Sequence, residues 1–136
     1  MKPETDYKVA EFMERDIVQV TPDTDVKRCA EVMAAEHVDS VAVTQKKRIV
    51  GIVTEKDFAR KVVAKGLNAE EITAKDIMTT ELVTIDPQTS LYEAMVLINK
   101  KKIKHLPVIE NNVIVGIITA MDILKVQPSY MEILAT

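Results

Sequence analysis

Tryptophan is absent, and aromatic residues make up only 4% of the 136-residue chain. The stacking platforms that hold single-stranded nucleic acid are therefore missing. A surplus of positive charge is missing too. Eighteen basic and 21 acidic residues leave a formal net charge of −3, no electrostatic footprint for nucleic acid or an anionic membrane. Cys29 is the only cysteine, which excludes an intrachain disulfide and a cysteine zinc cluster. No apolar run approaches a membrane span, and the opening MKPETDYKVAEF lacks a signal peptide's apolar core. These absences lead us to expect a cytoplasmic protein with no membrane partner, and make nucleic acid an unfavoured one. What is present is ordinary for a soluble domain: 47% hydrophobic and 29% charged residues, in a chain long enough to bury its core without staples.

The chain is a duplication. IVGIVTEKDFAR (Ile49 to Arg60) aligns with IVGIITAMDILK (Ile114 to Lys125) at a shift of 65 residues, the distance from Gly51 to Gly116. Without a gap, the same shift pairs Met13 with Met78, Val18 with Val83, Pro22 with Pro87 and Thr24 with Thr89. It also pairs Val43 with Val108, Thr54 with Thr119 and Asp57 with Asp122.

Each unit predicts the order β-α-β-β-α. A short apolar run (Ile17 to Val20; Leu82 to Ile85) leads to a turn at Pro22 or Pro87. A helix follows, with Val26, Cys29, Ala30, Met33 and His37 on one stripe, and Leu91, Ala94, Met95, Ile98 and Lys102 on its counterpart. Two β-branched runs then form a hairpin: Ser40 to Thr44 with Arg48 to Thr54, and Leu106 to Ile109 with Val113 to Thr119. A second helix opens at Thr54 or Thr119. Neither unit has enough elements to be stable alone, so we expect an α/β fold of two small sheets packed face to face with pseudo-two-fold symmetry. The boundaries read as 9–66 for the first repeat, 67–73 for a linker and 74–126 for the second, in one module spanning 1–136. Val9 to Met13 is the lead-in matching the segment before the second repeat. Val96 and Leu97 widen the stripe of the second repeat's first helix, as a broader core face or a dimer surface.

These motifs resemble the cystathionine-β-synthase (CBS) domain pair, or Bateman module, over essentially the whole chain. The resemblance is carried by Met78-Thr79, Val83 to Leu91, Ile103 to Val108 and Val115 to Asp122, and in the first copy by Val18 to Val26 and Val50 to Asp57. It implies a stand-alone regulatory module with two clefts between the sheets, which in the family take AMP, ADP, ATP or S-adenosylmethionine, and frequent assembly as a homodimer. It further implies a site A of Thr54, Asp57, Met78, Val83, Lys104 and His105, and a site B of Thr119, Asp122, Met13, Val18, Asp39 and Ser40. The apolar members would sandwich adenine.

The chemistry of T-x-x-D at a strand-to-helix junction has two readings. Unpaired N–H groups and a threonine hydroxyl suit a phosphate, and an aspartate three residues on can accept from both ribose hydroxyls. The same spacing is that of a capping box, in which the two side chains serve only the helix. The copies differ where Lys104-His105-Leu106-Pro107 aligns with Asp39-Ser40-Val41-Ala42. Lys104 and His105 can contact a phosphate through charge-assisted bonds, whereas Asp39 repels one. Site A, and Asp57 above Asp122, are therefore expected to dominate, with AMP or a cationic adenosyl ligand preferred to ATP.

Cys29 reads as a small buried hydrophobe, Lys46-Lys47-Arg48 as a solvated hairpin tip, and QPSYMEILAT as a frayed tail or a dimer strap. His37 and His105 share no metal-ligand spacing with acids or Cys29, and no catalytic constellation or catalytic cofactor is expected. The expectation is thus a non-enzymatic sensor of an adenosine-containing ligand, AMP first. The alternative is a structural dimerisation or scaffolding pair with no bound ligand.

Overall fold

The computed structural model describes residues 6–136; the first five residues of the opening MKPETDYKVAEF, from which no signal peptide is expected, lie outside them. The chain divides into two compact units. One is Ile17–Leu82, and the other joins the residues up to Asp16 to Val83–Thr136.

In the first unit β1 (Gln19–Val20), β2 (Ser40–Gln45) and β3 (Arg48–Thr54) form a three-stranded sheet in that order, β1 parallel to β2 and β2 antiparallel to β3. Helix α1 (Val26–Glu36) starts at Asp25, whose carboxylate accepts the Arg28 N–H at 2.7 Å. It buries Val26, Cys29 and Met33 against Val41, Val43 and Val53 of the sheet. α2 (Glu55–Asp57) runs on as a π-helical turn, Phe58–Val63, whose wider spacing shows in the Ala64 N–H donating to the Ala59 carbonyl. α3 (Ala74–Ile77) then docks Ala74 and Ile77 on the same core.

In the second unit α4 (Leu91–Lys101) is capped by Ser90, whose hydroxyl accepts the Glu93 N–H at 3.0 Å. β4 (His105–Glu110) and β5 (Val113–Thr119) make a two-stranded antiparallel sheet, and α5 (Ala120–Val126) follows. Leu91, Met95, Leu106, Ile118 and Ile123 are fully buried in this unit's core.

Each unit holds the body of one repeat and the lead-in of the other. In the second unit Val9 and Ala10 donate to the carbonyls of Thr89 and Pro87, and Glu14 exchanges two backbone bonds with Ile117. In the first, Ala74 and Lys75 donate to Thr24 and Pro22, and Thr79 exchanges two with Ile52. The pairings are the same after the 65-residue shift.

Four local readings of the sequence are corrected. The expected strand Leu82 to Ile85 is reduced to one parallel bridge, Ile85 with Val108. In the first repeat the Ala42 N–H donates to the Val18 carbonyl at 3.1 Å; the equivalent of Ala42 is Pro107, which has no N–H to offer Val83. His37 and Lys102 leave the apolar stripes. Both are exposed, at φ 56° and 55°, and close Schellman turns in which Val38 and Ile103 donate to the carbonyls of Met33 and Ile98. The sequence leaves Gln45-Lys46-Lys47 and Glu110-Asn111-Asn112 between the expected hairpin strands, but Gln45 and Glu110 join the strands, so the connections are Lys46-Lys47 and Asn111-Asn112, all four with positive φ. The C-terminal segment is not a frayed tail. Pro128–Ala135 is a 3-10 helix that buries Tyr130, whose hydroxyl donates to Asp6 at 3.2 Å and whose ring meets Tyr92 edge-on.

Candidate functional site

Strand β3 ends at Thr54 because its extended backbone (φ −123°, ψ 168°) turns directly into α2. The Asp57 carboxylate folds back, its Oδ2 accepting the Thr54 N–H at 2.8 Å and the Thr54 hydroxyl at 3.4 Å. In the second unit Asp122 accepts the Thr119 N–H at 2.9 Å, and the Thr119 hydroxyl accepts the Asp122 N–H at 3.2 Å. The capping-box reading of T-x-x-D is therefore realised at both places. A third such box escaped the sequence reading. At Thr73 and Asp76, outside the repeated motif, the same two bonds measure 2.9 and 3.2 Å and pull the Asp76 carboxyl below its ordinary range. T-x-x-D alone therefore does not mark a ligand site.

What separates the repeated boxes from the third is their surroundings. Ser40 lies opposite Thr54 across the hairpin, and the Asp39 carbonyl accepts the Glu55 N–H. His105 lies opposite Thr119, and the Lys104 carbonyl accepts the Ala120 N–H. Beside each box a methionine of the lead-in sits on a strand glycine. A β-carbon on Gly51 would lie 2.6 Å from the Met78 Cγ, and one on Gly116 would lie 2.7 Å from the Met13 Cγ. Those glycines were not among the candidate site residues, although Gly51 follows Met13 and Gly116 follows Met78 by the same 38 residues, and only a side chain of no volume permits the approach.

Of the residues grouped as site A, Thr54, Asp57 and Met78 share the first unit, whereas Val83, Lys104 and His105 belong to the second. Of site B, Thr119, Asp122 and Met13 share the second unit, and Val18, Asp39 and Ser40 belong to the first. The two boxes also differ electrostatically. Asp57 is buried, 6% exposed, and its Oδ1 pairs with the Lys61 ammonium at 2.9 Å. Asp122 is half-buried, and Val126 stands where the register would put a lysine. Cys29 is fully buried, and loss of hydration pushes its thiol up to about 11.

The CBS domain family pattern matches residues 9–64 and 74–129. Protein MK0525 of Methanopyrus kandleri is 35% identical over 122 residues, 88% of this chain; the match spans 62% of that protein, less than two thirds of its length. The crystal structure of the CBS domain NE2398 is 27% identical and superimposes with a TM-score of 0.83, over 89% of this chain and 97% of that one. The CBS domain pair of protein MJ0100, solved with 5′-methylthioadenosine and S-adenosyl-L-methionine, shares the fold at a TM-score of 0.82 and 20% identity, over 92% and 98% of the two chains. No helix of the described residues is long and apolar enough to cross a membrane.

Proposed function

We propose, from the premise that this chain belongs to the CBS-domain family, that it is a regulatory module binding an adenosine-containing ligand, AMP in preference. The observation that carries this reading is the duplicated set: a Thr–Asp box beside a methionine seated on glycine, built alike in both units. The adenosyl ligands of protein MJ0100 lend it chemical support. Asp57 and Asp122 would hold the ribose diol, Thr54 and Thr119 the phosphate, and Met13, Met78, Val18 and Val83 the adenine. Lys104, His105, Asp39 and Ser40 are their proposed neighbours. Asp39, whose carbonyl accepts the Glu55 N–H beside the first box, would repel each added phosphate, which favours AMP over ATP. The larger share of ribose recognition is assigned to Asp57, whose burial strengthens any bond it makes. A protein without catalytic chemistry, in the cytoplasm, acting as a homodimer on a separate regulated partner, completes the proposal. Calorimetry with AMP and ATP in magnesium-free buffer tests it: AMP should bind, and more tightly than ATP.

One observation favours the second reading, a scaffolding pair without ligand. Both carboxylates are already engaged in capping, as at Asp76, which has no methionine-covered glycine beside it. A thermal-shift screen in which no adenosyl compound raises the melting temperature would select that reading.

A further inference from the structure

Lys61 sits where two elements of the first unit meet. Its ammonium is 2.9 Å from Asp57 Oδ1 and donates at 2.7 Å to the carbonyl of Ile77, the last residue of α3. The residue after Ile77 is Met78, whose side chain rests on Gly51. The next residue, Thr79, is held to Ile52 of β3 by bonds of 2.9 and 3.1 Å. One charged side chain thus ties the buried carboxylate to the segment leading into the second repeat. A cation also suits the C-terminal end of a helix, whose last carbonyls are unpaired. The π-helical turn Phe58–Val63 carries Lys61, and it aims the ammonium between Asp57 and Ile77. The second unit has no such tie, because Val126 occupies the equivalent position.

We infer that Lys61 is a positioning residue that couples the state of Asp57 to the lead-in segment 74–79. This inference rests on the proposed role of Asp57 only for what drives the coupling. A ribose diol bonding to Oδ1 competes with the ammonium for the same oxygen. Lys61 then shifts, and its hold on the Ile77 carbonyl changes with it. By linkage, anything that moves segment 74–79 changes the affinity at Asp57 by the same factor. The response belongs to the first repeat alone, so the duplicated boxes report asymmetrically.

Amide hydrogen exchange at Met78 and Thr79 in the full chain tests the coupling without any ligand. Lys61→Met and Lys61→Gln should each speed exchange there several-fold and leave α4 amides unchanged. Lys61→Arg should restore the parent rate, and Asp57→Asn added to Lys61→Met should bring no further change. Parent-like exchange in Lys61→Met, additive effects in the double variant, or acceleration spread equally through α4 would overturn the inference. In a second arm AMP is added and its binding followed by calorimetry. Bound AMP should alter Met78 and Thr79 exchange in the parent and not in Lys61→Met; the same response in both would also overturn it. If AMP does not bind, the ligand reading fails, and the ligand-free comparison still decides whether Lys61 couples the two segments.

Discussion

At the scale of single residues, a threonine and an aspartate three apart occur at three helix starts among the described residues, yet only two of them stand at the end of a hairpin strand that carries a methionine-covered glycine. That contrast supplies its own control. Asp57→Asn should weaken AMP binding by about 1–3 kcal/mol, the scale of a hydrogen bond to a charged group. Asp122→Asn should cost less, and Asp76→Asn, which reaches Asp57 only through segment 74–79, should have a smaller effect than Asp57→Asn in the same calorimetry. Equal losses at Asp57 and Asp122 would mean two equivalent sites, and no loss at either would leave both as helix caps. The glycine seats make a second test. Gly51→Ala places a β-carbon within 2.9 Å of the Met78 Cβ, so the lead-in must shift. Overpacking of this kind costs about 1–3 kcal/mol, and urea unfolding should show it. Shortening the neighbour with Met78→Ala in the same chain should recover part of the loss. Gly116→Ala should behave similarly against Met13, with the Glu14 carbonyl at 3.2 Å as a harder obstacle because backbone cannot rotate away.

At the scale of elements, the two hairpins share one geometry and differ in how well their residues suit it. Both turns need positive φ at both central positions. Asn111-Asn112 tolerates that conformation, since a short amide side chain can bond locally, but Lys46-Lys47 has no such compensation. Lys47→Gly should therefore stabilise the chain by about 0.5–1 kcal/mol, seen as a higher urea midpoint at unchanged slope. A lower midpoint would show that the lysine makes a favourable contact outweighing its backbone strain. Pro107 is the other element-level lesson. It leaves the second repeat with two strands and a bridge, where Ala42 gives the first repeat three.

At the scale of the whole molecule, pH and association are the informative variables. Cys29 is raised to about 11 by lost hydration, and Tyr130 to about 12, first by lost hydration and then by Asp6. Both groups are neutral when protonated, and both hold their protons more tightly folded than unfolded. Between about pH 9 and 12 the native state therefore binds more protons than the unfolded one, and stability falls as pH rises. Cys29→Ala should flatten the part of that loss between about pH 9 and 11 in chemical denaturation series. An unchanged alkaline limb would assign the loss elsewhere. The proposed homodimer is tested by light scattering at micromolar concentration, where a particle of twice the 15.2 kDa chain mass is expected. Leu97 packs against the second unit's core, whereas Val96 stays 38% exposed on α4. Val96→Asp should therefore return the chain to a monomer without unfolding it.

The duplication, the order of helices and hairpins, the buried Cys29 and the Thr–Asp pairs were all legible in the sequence. They depend on periodicity and on a fixed shift, which are properties of neighbours along the chain. Even the loss of the Leu82 to Ile85 strand was written there, in a proline standing where an N–H was needed. The exchange of lead-ins between repeats, the seating of Met78 on Gly51 and of Met13 on Gly116, and the grip of Lys61 on both Asp57 and Ile77 were not. Lys61 is one of many lysines in the sequence, and nothing local distinguishes it. Its role arises because a π-helical turn and the end of a helix 16 residues later converge on one ammonium, which only tertiary packing brings about.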